Sequence, residues 1–146
     1  MREREVTRTV AERLQAEGLV GLKACYKNER GPDIEGCLPR SRRKLLIEAK
    51  GERAGADRWG EGANCRMAMG DALLQVLSVY DQDVVCGIAV PYTKEFQKVL
   101  QNILPGIQKL GLHVLLVREG EVWHLGPHAT GFFPEKSESL IEILEQ

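Results

Sequence analysis

Gly31-Pro32-Asp33-Ile34-Glu35-Gly36, and after it Leu45-Leu46-Ile47-Glu48-Ala49-Lys50-Gly51, is the pair of segments whose reading decides the fold. The second segment is an apolar run of strand length. Side chains alternate faces along a strand, so Glu48 and Lys50 share one side while Leu45, Ile47 and Ala49 share the other. Between the two segments, Cys37-Leu38-Pro39-Arg40-Ser41-Arg42-Arg43-Lys44 holds a proline, a serine and four basic residues, the composition of a hairpin turn. Folding back there sets Asp33 alongside Glu48.

A carboxylate and a lysine displayed together at the end of an apolar strand are costly neighbours for a core. They make sense around a divalent metal and a phosphate. Asp33 and Glu48 supply hard oxygen ligands of the kind Mg²⁺ or Mn²⁺ accepts, and the carbonyl of Ala49 lies between them as a further oxygen. Lys50 is then placed to orient or deprotonate a water, or to offset charge on the phosphate under attack. The competing reading of the same three side chains is an ion-pair cluster on a sheet edge, worth little energetically.

Pro32-Asp33 followed by Glu48-Ala49-Lys50 resembles the PD-(D/E)XK, or restriction-endonuclease-like, nuclease superfamily. The context agrees with the motif: an amphipathic helix precedes it, a hairpin carries the acids, and a helix and a buried strand follow, over roughly residues 1–125. The tracts Cys86-Gly87-Ile88-Ala89-Val90-Pro91 and Leu112-His113-Val114-Leu115-Leu116-Val117 also look like small bacterial members of that fold. The resemblance implies an α/β domain with a three-layer, mixed sheet flanked by helices. It implies Mg²⁺- or Mn²⁺-dependent hydrolysis of DNA phosphodiesters, with Asp33 and Glu48 on the metal and Lys50 at the water. Family members often bring an acidic residue of the first helix near the metal, which makes Glu3 a further catalytic candidate. Helix-end solvation is the competing explanation of Glu3. Gln75 and Tyr80 are similar to the Q-x-x-x-Y element of one branch, but the spacing is one residue longer. The two side chains therefore point about 140° apart on a helix instead of about 40°, and Gln75 is left a supporting nucleic-acid contact.

Charge is distributed unevenly. Residues 1–73 hold 15 Lys and Arg against 12 Asp and Glu, and residues 74–146 hold 5 against 9, within a net charge of −1. Arg40, Arg42, Arg43 and Lys44 fall at the expected hairpin tip, where they are candidates to grip a phosphate backbone; a solvated turn is the alternative. Glu52 and Arg53 follow the lysine and are candidates for substrate phosphates. The chain is not basic enough to bind DNA strongly and non-specifically by itself.

The remaining pattern predicts helix over 2–17, with Val6, Val10 and Leu14 on one face and Gly18 as the stop, then a strand over 19–26. Residues 51–62 carry four glycines and predict a loop over the site, with Trp59 as its anchor or as a contact to nucleic acid. A helix over 63–80, a doubly buried strand over 84–90, and a helix over 94–110 disturbed at Pro105-Gly106 follow. Two strands over 112–117 and 121–125 flank the Glu119-Gly120 turn. A terminal helix over 134–146 is expected to pack Leu140, Ile143 and Leu144 on the sheet or on a second subunit. The order α-β-β-β-α-β-α-β-β-α makes one domain over residues 1–146.

At 146 residues and 43% hydrophobic content the chain can bury a single core. It has no apolar run approaching the ~20 residues that span a bilayer. Its charged start, Met1-Arg2-Glu3-Arg4-Glu5, lacks the apolar centre of a signal peptide, so a cytoplasmic protein is expected. Cys25, Cys37, Cys65 and Cys86 form no C-x-x-C pair and His113, His124 and His128 lie far from them in sequence, so reduced thiols are expected rather than a zinc site. His124 and His128 fall near a Gly-Pro turn and are expected to be solvated loop residues. A single small domain cuts one strand at a time, so cleaving a duplex or a junction favours a homodimer, with a protein partner as an alternative source of targeting. A catalytically inactive nucleic-acid- or protein-binding module, and an RNA-directed or defence-system effector, are the other functions considered.

Overall fold

A computed structural model describes residues 1–26, 31–52 and 60–146 of the chain. The described residues form α1 (Glu3–Glu17), β1 (Val20–Ala24), β2 (Ile34–Cys37), β3 (Lys44–Ala49), α2 (Gly60–Val79), β4 (Val84–Pro91), α3 (Lys94–Lys109), β5 (His113–Arg118), β6 (Glu121–Leu125), β7 (Glu135–Lys136) and α4 (Leu140–Leu144). Among them stands a seven-stranded mixed sheet with its strands in chain order. Steps β1 to β2, β2 to β3, β5 to β6 and β6 to β7 are antiparallel. The two central steps, β3 to β4 and β4 to β5, are parallel and are bridged by α2 and α3. Parallel neighbours need a crossover connection, and here each crossover is a helix.

The alternation read from β3 sorts the molecule into layers. Leu45, Ile47 and Ala49, all 0% exposed, join Val6, Val10 and Leu14 of α1 and Leu140, Ile141 and Leu144 of α4 in one apolar cluster. The opposite face of β4 and β5 (Cys86, Ile88, Val90, Val114, Leu116) packs with Ala68, Met69, Ala72 and Val76 of α2 and Phe96, Leu100 and Leu104 of α3. Glu48 is in register with Ile88, so it projects toward the α2/α3 layer. Two cores on the two faces of one sheet are the expected result when the central strands are buried on both sides.

Three expectations need correction. The terminal helix over 134–146 is replaced by β7 and the shorter α4, because Glu135 and Lys136 pair with β6 and the hydroxyl of Ser139 accepts from the Glu142 N–H as the helix cap. Its buried set is Leu140, Ile141 and Leu144, with Ile143 only half-buried. The loop expected over 51–62 ends earlier, since α2 starts at Gly60; the intervening residues 53–59, with Arg53 and Trp59, lie outside the described residues. Finally, α3 runs unbroken through Pro105. That proline is exposed, so the carbonyl it leaves without a helical donor can be solvated and the helix need not break.

No described helix is long and apolar enough to cross a membrane. All four cysteines are free, with Cys25, Cys65 and Cys86 buried.

Candidate functional site

Asp33 and Glu48 meet because the β2–β3 register pairs Ile34 with Ile47, which sets the preceding Asp33 opposite Glu48. Both therefore stand on the α2/α3 face. The Asp33 side chain is tied down from one side: its Oδ2 accepts the Ala49 N–H at 2.8 Å. The Asp33 carbonyl accepts the Cys25 N–H at 2.8 Å, which fixes the segment against the end of β1. Glu48 is only 6% exposed. Burial pushes its carboxyl up from 4.5 to about 8, helped by the hydrogen bond that the protonated group donates to the Asp33 carboxylate and by the Asp33 charge, against the opposing pull of Lys50 and of the Asp33 N–H.

Lys50 follows directly at the strand end, half-buried, with its N–H donated to the Ala89 carbonyl at 2.9 Å. Ala49 is fully buried between the two functional side chains. Gly51 comes next, where the chain passes the start of α1 so closely that a Cβ would stand 2.1 Å from the Glu3 nitrogen. The Glu52 N–H then donates to the Met1 carbonyl at 2.9 Å. The first turn of α1 is thereby pinned beside the end of β3, although α1 covers the opposite face of the sheet. Glu3 is exposed at that turn. Among the described residues no three His, Cys, Asp or Glu side chains converge at metal-binding distance, so Glu3 does not complete a triad with Asp33 and Glu48.

The basic hairpin tip is placed elsewhere. In an antiparallel hairpin the turn and the open strand ends lie at opposite ends, so the four residues from Lys44 to Glu48 separate tip from carboxylates by about 13 Å. The tip is also engaged. The Arg40 and Ser41 N–H groups donate to the Glu145 carboxylate at 3.0 and 2.7 Å. The Arg43 guanidinium donates to the Gln82 carbonyl at 3.0 Å, and Lys44 pairs with Glu35 at 3.7 Å. Arg42 takes a positive φ of 61° in the turn. These contacts fix the hairpin tip as a corner of the fold at the far end from the carboxylates, with Arg40 and Arg42 exposed on it. Gln75 is exposed on α2.

One cation missed in the sequence does share the face and end of the sheet with Lys50. Arg118 leaves β5 with its guanidinium 4.9 Å from the Tyr92 ring centre and 5.0 Å from that of Trp123. The two rings meet edge to face at 5.3 Å. Trp123 pairs with Leu116 and so projects toward the α2/α3 layer, as Glu48 does. Arg118 lies two strand spacings from β3, about 10 Å sideways. The only sequence signal was an arginine at a strand end before a Glu-Gly turn, which is too common to single out.

The donor set suits a hard divalent cation. Two carboxylates from adjacent strands, held closely enough to hydrogen-bond, relieve their repulsion by accepting either a proton or a cation. Comparison with protein-family models, with curated proteins and with solved structures gave no match for the chain.

Proposed function

We propose that the protein is a metal-dependent nuclease of the restriction-endonuclease-like type, hydrolysing DNA phosphodiester bonds. The observation that carries this reading is the Asp33–Glu48 carboxyl pair, forced together on one face of a buried strand end with Lys50 beside it. Asp33, Glu48 and the Ala49 carbonyl would hold Mg²⁺ or Mn²⁺. When bound, the cation supplies an acidified water and charge neutralisation at the phosphate. Lys50 would orient the attacking water or accept its proton. The Ala49 N–H fixes the Asp33 carboxylate in place, so the pair is preorganised before any ligand arrives. Arg118, held against Tyr92 and Trp123, offers a fixed positive charge for a neighbouring phosphate of the same strand. Glu3 is a supporting group at the rim. A duplex or a junction would be cut by a homodimer, each copy serving one strand.

Cleavage of a fluorescent DNA panel (single strand, duplex, flap and four-way junction) with Mg²⁺ or Mn²⁺ tests the assignment. Activity should fall by about 1000-fold or more in Asp33→Ala and in Lys50→Ala, as for loss of a group acting in the transition state. Arg118→Gln should lose about 10-fold, chiefly through KM. Undiminished cleavage by either of the first two purified, folded variants would remove the assignment.

A further inference from the structure

The other face of the sheet carries a polar cluster that the nuclease reading leaves unused. His113 opens β5 in register with Gly87, and His124 of β6 pairs with Leu115, which places both on the α1/α4 side. The expectation of a solvated loop residue therefore fails for His124: it is 8% exposed, and His113 is 7% exposed. His113 Nδ1 lies 2.8 Å from His124 Nε2, with the ring centres 5.1 Å apart. Two glycines make room for the pair. A Cβ on Gly126 would come within 2.8 Å of His124 Cε1, and one on Gly87 within 3.3 Å of the His113 carbonyl oxygen. Both rings open onto a cavity of about 390 Å³ that is also lined by His128, Glu135, Phe133 and Ile143.

We propose that this cavity is a second metal site, for a first-row transition-metal ion such as Zn²⁺, held by His113 and His124 and closed by His128 or Glu135. The geometry supports it. The two ring nitrogens face each other across a hydrogen bond in which one donates, and moving that proton to the other nitrogen of its ring frees both for a cation. Imidazole nitrogen favours Zn²⁺ and its neighbours over Mg²⁺, so this site and the carboxylate pair select different ions. The spacing also fits: a tetrahedral ion with bonds of about 2.0–2.1 Å holds its ligand nitrogens about 3.3 Å apart, so the pair need open only about half an ångström. The third ligand is near. Glu135 pairs with His124 across the β6–β7 step, and His128 lines the same cavity. Both are exposed and must rotate inward, since no three such side chains among the described residues already converge.

The inference is independent of the nuclease reading, and its test uses the full chain under reducing conditions. Calorimetric titration with Zn²⁺ should show one ion per chain with a Kd on the order of micromolar or tighter. His124→Gln should weaken binding by about 100-fold and the exposed pair His128→Ala/Glu135→Ala by about 10-fold, whereas Asp33→Ala should leave it unchanged. Zn²⁺ should also shift the ring-nitrogen NMR resonances of His113 and His124 in the unmutated protein, a readout that stands even if His124→Gln does not fold. No stoichiometric binding, undiminished binding by folded His124→Gln, or unmoved ring resonances at saturation would each overturn the proposal.

Discussion

Glu48→Gln is expected to stabilise the metal-free protein at about pH 8 while removing its response to Mg²⁺ or Mn²⁺. The folded protein holds the Glu48 carboxyl at about 8, against 4.5 ordinarily. A carboxyl whose folded pKa is raised contributes its stability below the unfolded pKa and loses it as pH climbs through the folded one. The unmutated protein should thus lose stability between about pH 4.5 and 8, by up to about 3 kcal/mol after allowing for solvent relaxation around the charge. Glutamine keeps the shape and cannot ionise, so the difference between the two proteins should grow with pH over that window. Four other shifted groups act in the opposite direction: neutral His113 and His124, and Glu17 and Glu145 held low by hydrogen bonds, lose stability as pH falls, while Cys86, pushed up by burial, acts as Glu48 does but only at more alkaline pH. Subtracting the two profiles isolates Glu48. Because a cation competes with the Glu48 proton, Mg²⁺ or Mn²⁺ should raise the unfolding midpoint of the unmutated protein more at about pH 8 than at about pH 6, and not at all in Glu48→Gln. Urea midpoints at several pH values, with and without metal, give the answer; parallel profiles for the two proteins would show that Glu48 is not under this strain.

The carboxylate pair was legible because strand periodicity and a hairpin turn are local signals. Alternation alone put Leu45, Ile47 and Ala49 in the core and Glu48 on the other face, and the Pro39 to Lys44 turn set Asp33 across from it. Features that depend on non-local contacts were not legible. The α4 boundary moved because β7 found a partner in β6, and nothing within residues 134–139 announces that pairing. The placement of the basic tip was not legible for a related reason: its charge is visible in the sequence, but its attachment to Glu145 and to residues 82–83 is made across the fold. His113 and His124, 11 residues apart on neighbouring strands, became a pair only once the β5–β6 register was known. Arg118 likewise needed Tyr92, just past β4, and Trp123, on β6, to become a fixed charge.

The close passage at Gly51 makes the second large prediction, because it couples the first helix to the carboxylate site through backbone alone. A Cβ at Gly51 would meet the Glu3 nitrogen at 2.1 Å, the Arg2 carbonyl carbon at 2.4 Å and the Glu3 Cα at 2.8 Å. These are main-chain atoms and cannot rotate away. Nor can α1 retreat cheaply, since Val6, Val10 and Leu14 are each 0% exposed against the sheet. On the other side, Lys50 is bonded to Ala89 and Ala49 to Asp33, so a displacement of residue 51 is passed to both. Gly51→Ala should therefore cost about 3 kcal/mol, at the upper end for overpacking, and should weaken metal-induced stabilisation even where the variant remains folded. Gly70→Ala is the matched control: it lies within α2 with open space around the added carbon, and should gain up to about 1 kcal/mol from helix propensity. Opposite signs for the two glycines in urea unfolding would establish that the α1–β3 junction is built on a close backbone contact. An unchanged midpoint and an unchanged metal response in Gly51→Ala would mean that the junction yields, and that α1 does not hold the carboxylate pair in place.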